Sequence, residues 1–338
     1  QGVGFRPTVS RQATAHGIYG TVCNKGPYVE IYAQGKKEKI EGFLNELKEN
    51  PPKRAAILKI NIEDITEENE LHFETFDIIE SEKTKGEIFV SPDIAICDEC
   101  KKELFDPKDR RYLHPFINCT CCGPRLTILD ALPYDRERTS MKEFPMCLDC
   151  AKEYTDEKTR RYDAQPVCCN QCGPQVYLIG RPERGRAAIT YTRRLIREGK
   201  IVAIKGIGGF HLCCDATNEE VVCRLRTLKN RPAKPFAVMA KDLESVKREC
   251  LVSEGQEKIL TGHQKPILLL DKKEDGEETL CESIAPGNPK VGVMLPYAPV
   301  QLLLFTYDDG IRMPSFLVMT SGNTSGAPIC REDKEAIQ

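Results

Sequence analysis

Apolar and polar residues alternate in Thr21–Cys23 and again in Tyr28–Tyr32, on either side of Lys25-Gly26-Pro27, a pattern that predicts a β-hairpin. Before it, Pro7–His16 predicts a helix closed by Gly17; after it, Lys36–Leu47 predicts an amphipathic helix. Ala56–Glu63 and Leu71–Ile78 predict two further strands. The far half has another rhythm. Apolar runs at Ile201–Ile204, Phe236–Met239, Ile267–Leu270 and Phe316–Met319 predict buried strands, and Ala187–Glu198, Glu219–Thr227, Leu243–Cys250 and Val300–Phe305 predict helices between them. This alternation is α/β organisation. The stretch between the halves has too few apolar side chains for a conventional core, so something else must hold it together.

Cysteine supplies the answer. The 338 residues include 17 cysteines, and eight of these form four C-x2-C pairs between Cys97 and Cys172. Aligned at an offset of fifty residues, Cys97–Pro124 and Cys147–Pro174 both read C-x2-C-x5-D-x3-R-R-Y and then C-x2-C-G-P. In C-x2-C two sulfurs approach one metal from a tight turn, and two such pairs satisfy tetrahedral zinc with no position left open. The spacing therefore predicts two structural zinc ions on Cys97, Cys100, Cys119, Cys122, Cys147, Cys150, Cys169 and Cys172, whose binding would drive local folding. Closure of each repeat on itself is the simple pairing, and pairing across the repeats uses the same eight residues. The repeated Arg-Arg-Tyr at Arg110–Tyr112 and Arg160–Tyr162 suits bracing of these turns better than anion binding.

Composition narrows the function classes. A formal net charge of −2 argues against broad attraction to nucleic acid or an anionic membrane. No apolar run approaches the roughly 18 residues needed to span a bilayer. The remaining cysteines are scattered in a long chain and read as reduced thiols, which predicts a cytoplasmic protein.

Candidate chemistry lies at both ends. Gly2-Val3-Gly4-Phe5-Arg6 leads into the first predicted helix, where loop amides, helix dipole and a guanidinium fork converge on one anion. With Asn24 eighteen residues after Arg6, in G-x-V-x-N, the segment resembles the acylphosphatase family. The resemblance implies a ferredoxin-like fold in which the loop and Arg6 hold a phosphoryl group and Asn24 positions the attacking water. That family's first strand would lie before Gln1.

In the far half, Lys205-Gly206-Ile207-Gly208-Gly209-Phe210-His211 follows a predicted strand, where a Gly-rich turn allows close backbone approach to a ligand. Lys229 and Arg231 precede a strand, and Thr320-Ser321-Gly322-Asn323 closes the last one. K-x-R followed much later by S-x-N resembles the YrdC/Sua5 family, which implies an ATP site with Lys229 and Arg231 on the triphosphate and Ser321 and Asn323 beside them.

The expected fold is multidomain α+β: an acylphosphatase-like domain over 1–83, tandem C4 zinc-finger modules over 84–180, and a YrdC-like α/β domain with a twisted mixed sheet over 187–338. That order resembles the HypF family of [NiFe]-hydrogenase maturation carbamoyltransferases. The resemblance implies hydrolysis of carbamoyl phosphate to carbamate and ATP-dependent carbamoyl adenylate formation, with Mg²⁺. Transfer to the C-terminal cysteine of a HypE-like protein would follow, as precursor of the iron cyanide ligand. The transferase domain of that family would follow Gln338, so the chain is expected to lack complete transfer activity. Alternatives are threonylcarbamoyl-adenylate synthesis for tRNA modification, in which the first two regions have no role, and a non-catalytic zinc-binding interaction protein.

Overall fold

The computed structural model describes residues 2–52, 55, 57–64, 72–79, 90–273, 280–324 and 326–338. The chain forms two compact units, one of Gln1–Asp93 with Asn118–Gly173 and one of Ile94–Ile117 with Pro174–Gln338.

In the first unit, helix α1 (Phe5–His16) starts after Gly4 and stops at Gly17, both in the left-handed conformation, and the Gly17 N–H donates to the Ala13 and Thr14 carbonyls. Strands β1 (Tyr19–Lys25) and β2 (Tyr28–Gln34) make the expected antiparallel hairpin. Helix α2 (Lys37–Glu49) buries Phe43 and Leu47. Strand β3 (Phe76–Ile78) runs parallel to β1, giving the order β2-β1-β3. Val9, Ala13, Ile18, Val22, Phe43, Leu47 and Phe76 form the core beneath this sheet.

Two expectations change here. Ala56 and Leu71 lie outside the described residues, and 57–63 are irregular rather than a strand. Leu58 is 96% exposed and Ile62 59%, so the alternation there found no face to bury. The other predicted strand shortens to β3, where Phe76 packs against Phe43 with ring centroids 6.5 Å apart. Pattern alone does not supply a sheet partner.

Each cysteine repeat opens with a short helix absent from the sequence expectations, α3 (Asp98–Phe105) and α4 (Leu148–Thr155). Cys97 and Cys147 are their N-cap residues, so each C-x2-C turn is also a helix start.

The second unit is built on six strands: β4 (Val202–Gly206), β5 (Gly209–Asp215), β6 (Ala237–Ala240), β7 (Leu268–Asp271), β8 (Lys290–Met294) and β9 (Phe316–Ser321), in the order β4-β5-β9-β6-β8-β7. Only β6 and β8 pair in parallel. Helices α5 (Gly185–Arg197), α6 (Glu219–Leu228), α7 (Leu243–Glu249), α8 (Glu254–Thr261), α9 (Pro299–Phe305) and α10 (Asp333–Ile337) connect or follow them. Apolar side chains fill both faces: Val222, Leu225, Phe236, Val293 and Val318 in one cluster, and Ile196, Cys213, Met239, Leu304 and Leu317 in another. Burial on both sides gives the inner strands β6 and β9 their continuous apolar runs, while the edge strands β4 and β7 carry such runs although partly exposed.

Strands β5 and β8 escaped that reading. Gly209–His211 resembles a ligand loop but continues as strand, and the turn is only the tip of the β4–β5 hairpin, closed by the Gly206–Gly209 pair. In β8, Gly292 interrupts the apolar run, and a Cβ there would crowd Ile267 at 3.1 Å. No helix among the described residues is long and apolar enough to cross a membrane.

Candidate functional site

The cysteines gather repeat by repeat. Cys97, Cys100, Cys119 and Cys122 form one group and Cys147, Cys150, Cys169 and Cys172 the other, with all Sγ atoms of a group within 4.8 Å. Each repeat thus closes on itself. The Sγ separations are 3.7 Å for Cys119–Cys122, 3.8 Å for Cys147–Cys169 and Cys169–Cys172, and 3.6 Å for Cys150–Cys172. A tetrahedron with zinc–sulfur bonds of about 2.3 Å has edges of about 3.8 Å, so the donor sets fit zinc. Cys100, Cys119, Cys122, Cys150 and Cys169 are buried, as a closed structural site requires. The backbone N–H of Cys121 donates to Cys119 Sγ at 3.4 Å, and that of Cys100 to Cys97 Sγ at 3.5 Å, which orients the thiolates. In the second Arg-Arg-Tyr, Arg161 is buried and donates from Nε to the Asn118 carbonyl at 3.0 Å, in keeping with bracing.

The N-terminal loop is shaped by its glycines. Gly2 and Gly4 have φ of 78° and 75°, where a side chain is strained. A Cβ on Gly4 would also come within 2.8 Å of Thr120 Cγ2. Buried Arg125 donates from Nε to the Gly2 carbonyl and from Nη2 to the Thr120 carbonyl at 2.8 Å. The first repeat's second cysteine turn therefore seats the loop carrying Val3 and Phe5.

Arg6, in the first turn of α1, is buried with its guanidinium between two carboxylates. Nη2 lies 3.1 Å from Asp163 Oδ2 and 3.3 Å from Asp135 Oδ1. Burial opposes its charge, but Asp163 and Asp135 outweigh that and hold the guanidinium protonated above its ordinary range. The Asp163 carboxyl is pushed upward, chiefly by burial and also by Asp135, against the opposing pull of Arg6 and of hydrogen bonds from Gln165 and Tyr154. Asn24 is buried on β1, cross-strand from Val29. Motif reading missed Asp135, Asp163, Tyr154, Gln165, Thr120 and Arg125, because none belongs to the Gly-rich segment. For Thr120, Tyr154, Asp163 and Gln165 the signal available was the set of positions at which the two repeats differ; Arg125 and Asp135 lie outside the repeats and carried none.

Three of the four candidate nucleotide residues meet in the second unit. Lys229, capping α6, donates from Nζ to the Ser321 carbonyl at 2.7 Å and to the Asn323 carbonyl and Oδ1 at 3.3 and 3.4 Å. Ser321 Oγ donates to Asn323 Oδ1 at 2.6 Å, and Asn323 Nδ2 to the Ala327 carbonyl at 2.6 Å. Burial, then the nearby Arg231 charge, lowers the Lys229 pKa. Arg231 itself folds away: its Nε donates to the Lys234 carbonyl at 3.1 Å and its guanidinium lies 4.9 Å over the Phe236 ring. On β5, His211 pairs with Ser321 across β9, and burial lowers its pKa. Gly209 lets the backbone at Cys330 pass, since a Cβ would sit 2.6 Å from the Cys330 carbonyl. Lys205, from the Gly-rich turn, is engaged by Asp333 at 2.9 Å.

Comparison with known proteins gives these clusters a common frame. The acylphosphatase family model matches residues 1–78, the HypF finger model 96–129 and 146–179, and a model described as telomere recombination, covering Sua5, YciO and YrdC, 194–338. All of the chain aligns with carbamoyltransferase HypF2 of Cupriavidus necator at 45% identity, covering 43% of that protein. It also aligns with the probable carbamoyltransferase HypF of Methanocaldococcus jannaschii at 46% identity, covering 44% of it. The chain belongs to the HypF family. It spans less than half the length of these HypF relatives. A crystal structure of full-length HypF in the phosphate- and nucleotide-bound form superposes on the whole chain with a TM-score of 0.91 at 45% identity, 43% of that chain being covered. Within the HypF frame, the N-terminal region is itself 41% identical to an acylphosphatase of Staphylococcus haemolyticus over 64 residues, 72% of that enzyme.

Proposed function

We propose that the chain carries the first two steps of a carbamoyl relay: hydrolysis of carbamoyl phosphate to carbamate and phosphate, then attack of a carbamate oxygen on the α-phosphorus of ATP to give carbamoyl adenylate and pyrophosphate. One observation carries the reading. A chain of HypF sequence holds both an arginine seated behind two left-handed glycines and a separate Lys229–Ser321–Asn323 cluster. Phosphoryl transfer needs positioning and charge neutralisation more than covalent help. Arg6 and the amides of Gly2–Phe5 are suited to the phosphoryl oxygens, and Asn24 to orienting water. At the second site, Lys229 would exchange its carbonyl contacts for phosphate oxygens of ATP, bound as its magnesium complex, and Arg231 would unfold from Phe236 to join it. Ser321 and Asn323 complete that site.

The proposed division is 1–83, 84–180 and 187–338, with two structural zinc ions in the middle. In the whole protein the carbamoyl group would pass to the C-terminal cysteine of a HypE-like acceptor, releasing AMP. Nine cysteines outside the two zinc sets, none of them in a disulfide, favour the cytoplasm.

Pyrophosphate release from ATP should require carbamoyl phosphate. A requirement for threonine and bicarbonate instead would overturn the reading. Replacing Lys229 with alanine should weaken ATP binding about 10- to 100-fold, as expected for loss of a charged hydrogen bond to phosphate. Isothermal titration with ATP measures this, and unchanged affinity would remove Lys229 from the site.

A further inference from the structure

The two zinc repeats share a backbone but differ in what they present to their surroundings. At the fifty-residue offset, Leu104 corresponds to Tyr154, Leu113 to Asp163 and Pro115 to Gln165. The local frame is preserved: Leu113 N donates to the Leu104 carbonyl at 2.8 Å, and Asp163 N to the Tyr154 carbonyl at 2.9 Å. Leu113 and Asp163 even share a left-handed backbone, with φ of 54° and 53°. A leucine is poorly suited to that conformation and an aspartate tolerates it, so the turn itself imposes the backbone and leaves the side chain open to change.

In the first repeat Leu104 and Leu113 are buried core residues. In the second, all three positions are polar and joined. Tyr154 Oη donates to Asp163 Oδ1 at 3.3 Å and to Gln165 Oε1 at 3.0 Å, and Gln165 Nε2 donates to Asp163 Oδ1 at 2.8 Å. Gln165 Oε1 also accepts from the Arg136 N–H at 2.8 Å. Oδ1 of Asp163 is thereby held by its own repeat, while Oδ2 faces Arg6 at 3.1 Å. A buried carboxylate is costly without such partners, and an apolar side chain would have served the fold as it does in the first copy.

We propose that the second zinc repeat is a working part of the acylphosphatase-like site, with Asp163 the positioning residue for Arg6 and Tyr154 and Gln165 fixing Asp163. This deepens the hydrolytic reading above and rests on it. Asp163 fastens the guanidinium at Nη2 and sets the plane of the fork, so the arginine meets the phosphoryl group already oriented. The zinc ion of that repeat acts at a distance, by fixing the turn that bears Asp163.

The test is a double-mutant cycle in the zinc-loaded protein with Asp163→Asn and Arg6→Ala, reading carbamoyl phosphate hydrolysis and the affinity for inorganic phosphate. Asp163→Asn should retain both zinc ions and lower kcat/KM about 10- to 100-fold, the scale of a small misplacement of a catalytic group. In the Arg6→Ala background it should cost nothing further, because Asp163 acts through Arg6. Tyr154→Phe should show a smaller loss of the same kind. Equal losses in both backgrounds would mean a merely structural carboxylate and overturn the inference, as would wild-type activity in Asp163→Asn. If Arg6→Ala alone leaves hydrolysis and phosphate affinity unchanged, the hydrolytic reading fails and the inference falls with it.

Discussion

Replacing Cys150 with serine is expected to reduce bound zinc from two ions per chain to one and to unfold the second repeat. Structural zinc contributes about 10–16 kcal/mol to the folding of small cysteine modules, comparable to the whole stability of an ordinary domain. Between Cys147 and Cys172 the buried apolar side chains outside the ligands are few, Ala164, Pro166, Val167 and Cys168, and cannot replace that contribution. The damage should reach chemistry as well. Asp163 lies between the two cysteine turns of this repeat, and Arg6 pairs with it. Carbamoyl phosphate hydrolysis should therefore fall by about 100-fold or more, the cost of losing a positioned charge. ATP binding should persist, because Lys229, Ser321 and Asn323 are placed by α6 and β9 of the other unit. Atomic emission for zinc, hydrolysis rates and ATP titration measure these outcomes together. Full hydrolytic activity with one zinc per chain would show that the metal is irrelevant to the site.

Arg6→Ala carries the second large effect, on activity and stability at once. Loss of the principal cation should lower hydrolysis about 10²- to 10³-fold. It also removes the cation facing the mostly buried Asp163 and Asp135, a change worth up to about 3 kcal/mol, the low end for a buried pair. The pH dependence has a definite sign. Burial already raises the Asp163 pKa in the folded state, and Arg6 opposes that rise. Without Arg6 the folded-state value climbs further. Between the unfolded and folded values the folded chain then binds more protons, so its stability falls as pH rises through that window. The deficit against wild type should be greatest above the folded value and shrink on acidification. Urea unfolding of both proteins from about pH 8 down to about pH 4.5, near the ordinary carboxylate range, measures it. A deficit independent of pH would mean that the Asp163 carboxyl does not feel Arg6.

Local signals were legible before any coordinates. The fifty-residue offset identified all eight zinc ligands, because C-x2-C spacing is a property of one turn. Gly4, Gly17 and the hairpin around Gly26 were readable for the same reason: left-handed backbone favours glycine, and all three adopt it. Strands β4, β6, β7 and β9 announced themselves through uninterrupted apolar runs. Strand β8 did not, since Gly292 breaks its run and only its neighbours β6 and β7 make it a strand. The opposite error occurred at 57–63, where a strand-like pattern has no partner.

Chemistry-bearing residue types and short spacings are written in the chain, and they were sufficient to single out the two cysteine sets that fit zinc. Partnership over long separations is not. Arg6 meets Asp135 and Asp163 across more than a hundred residues, and Lys229 meets Asn323 across 94. Such pairs depend on how turns and sheets bring distant segments together, and a carboxylate in a sequence looks the same whether solvated or buried. The cysteine turns show both sides of this division. Their ligands followed from spacing, their pairing within each repeat only from the fold, and Asp163, placed by one of those turns, from neither until Arg6 was seen beside it.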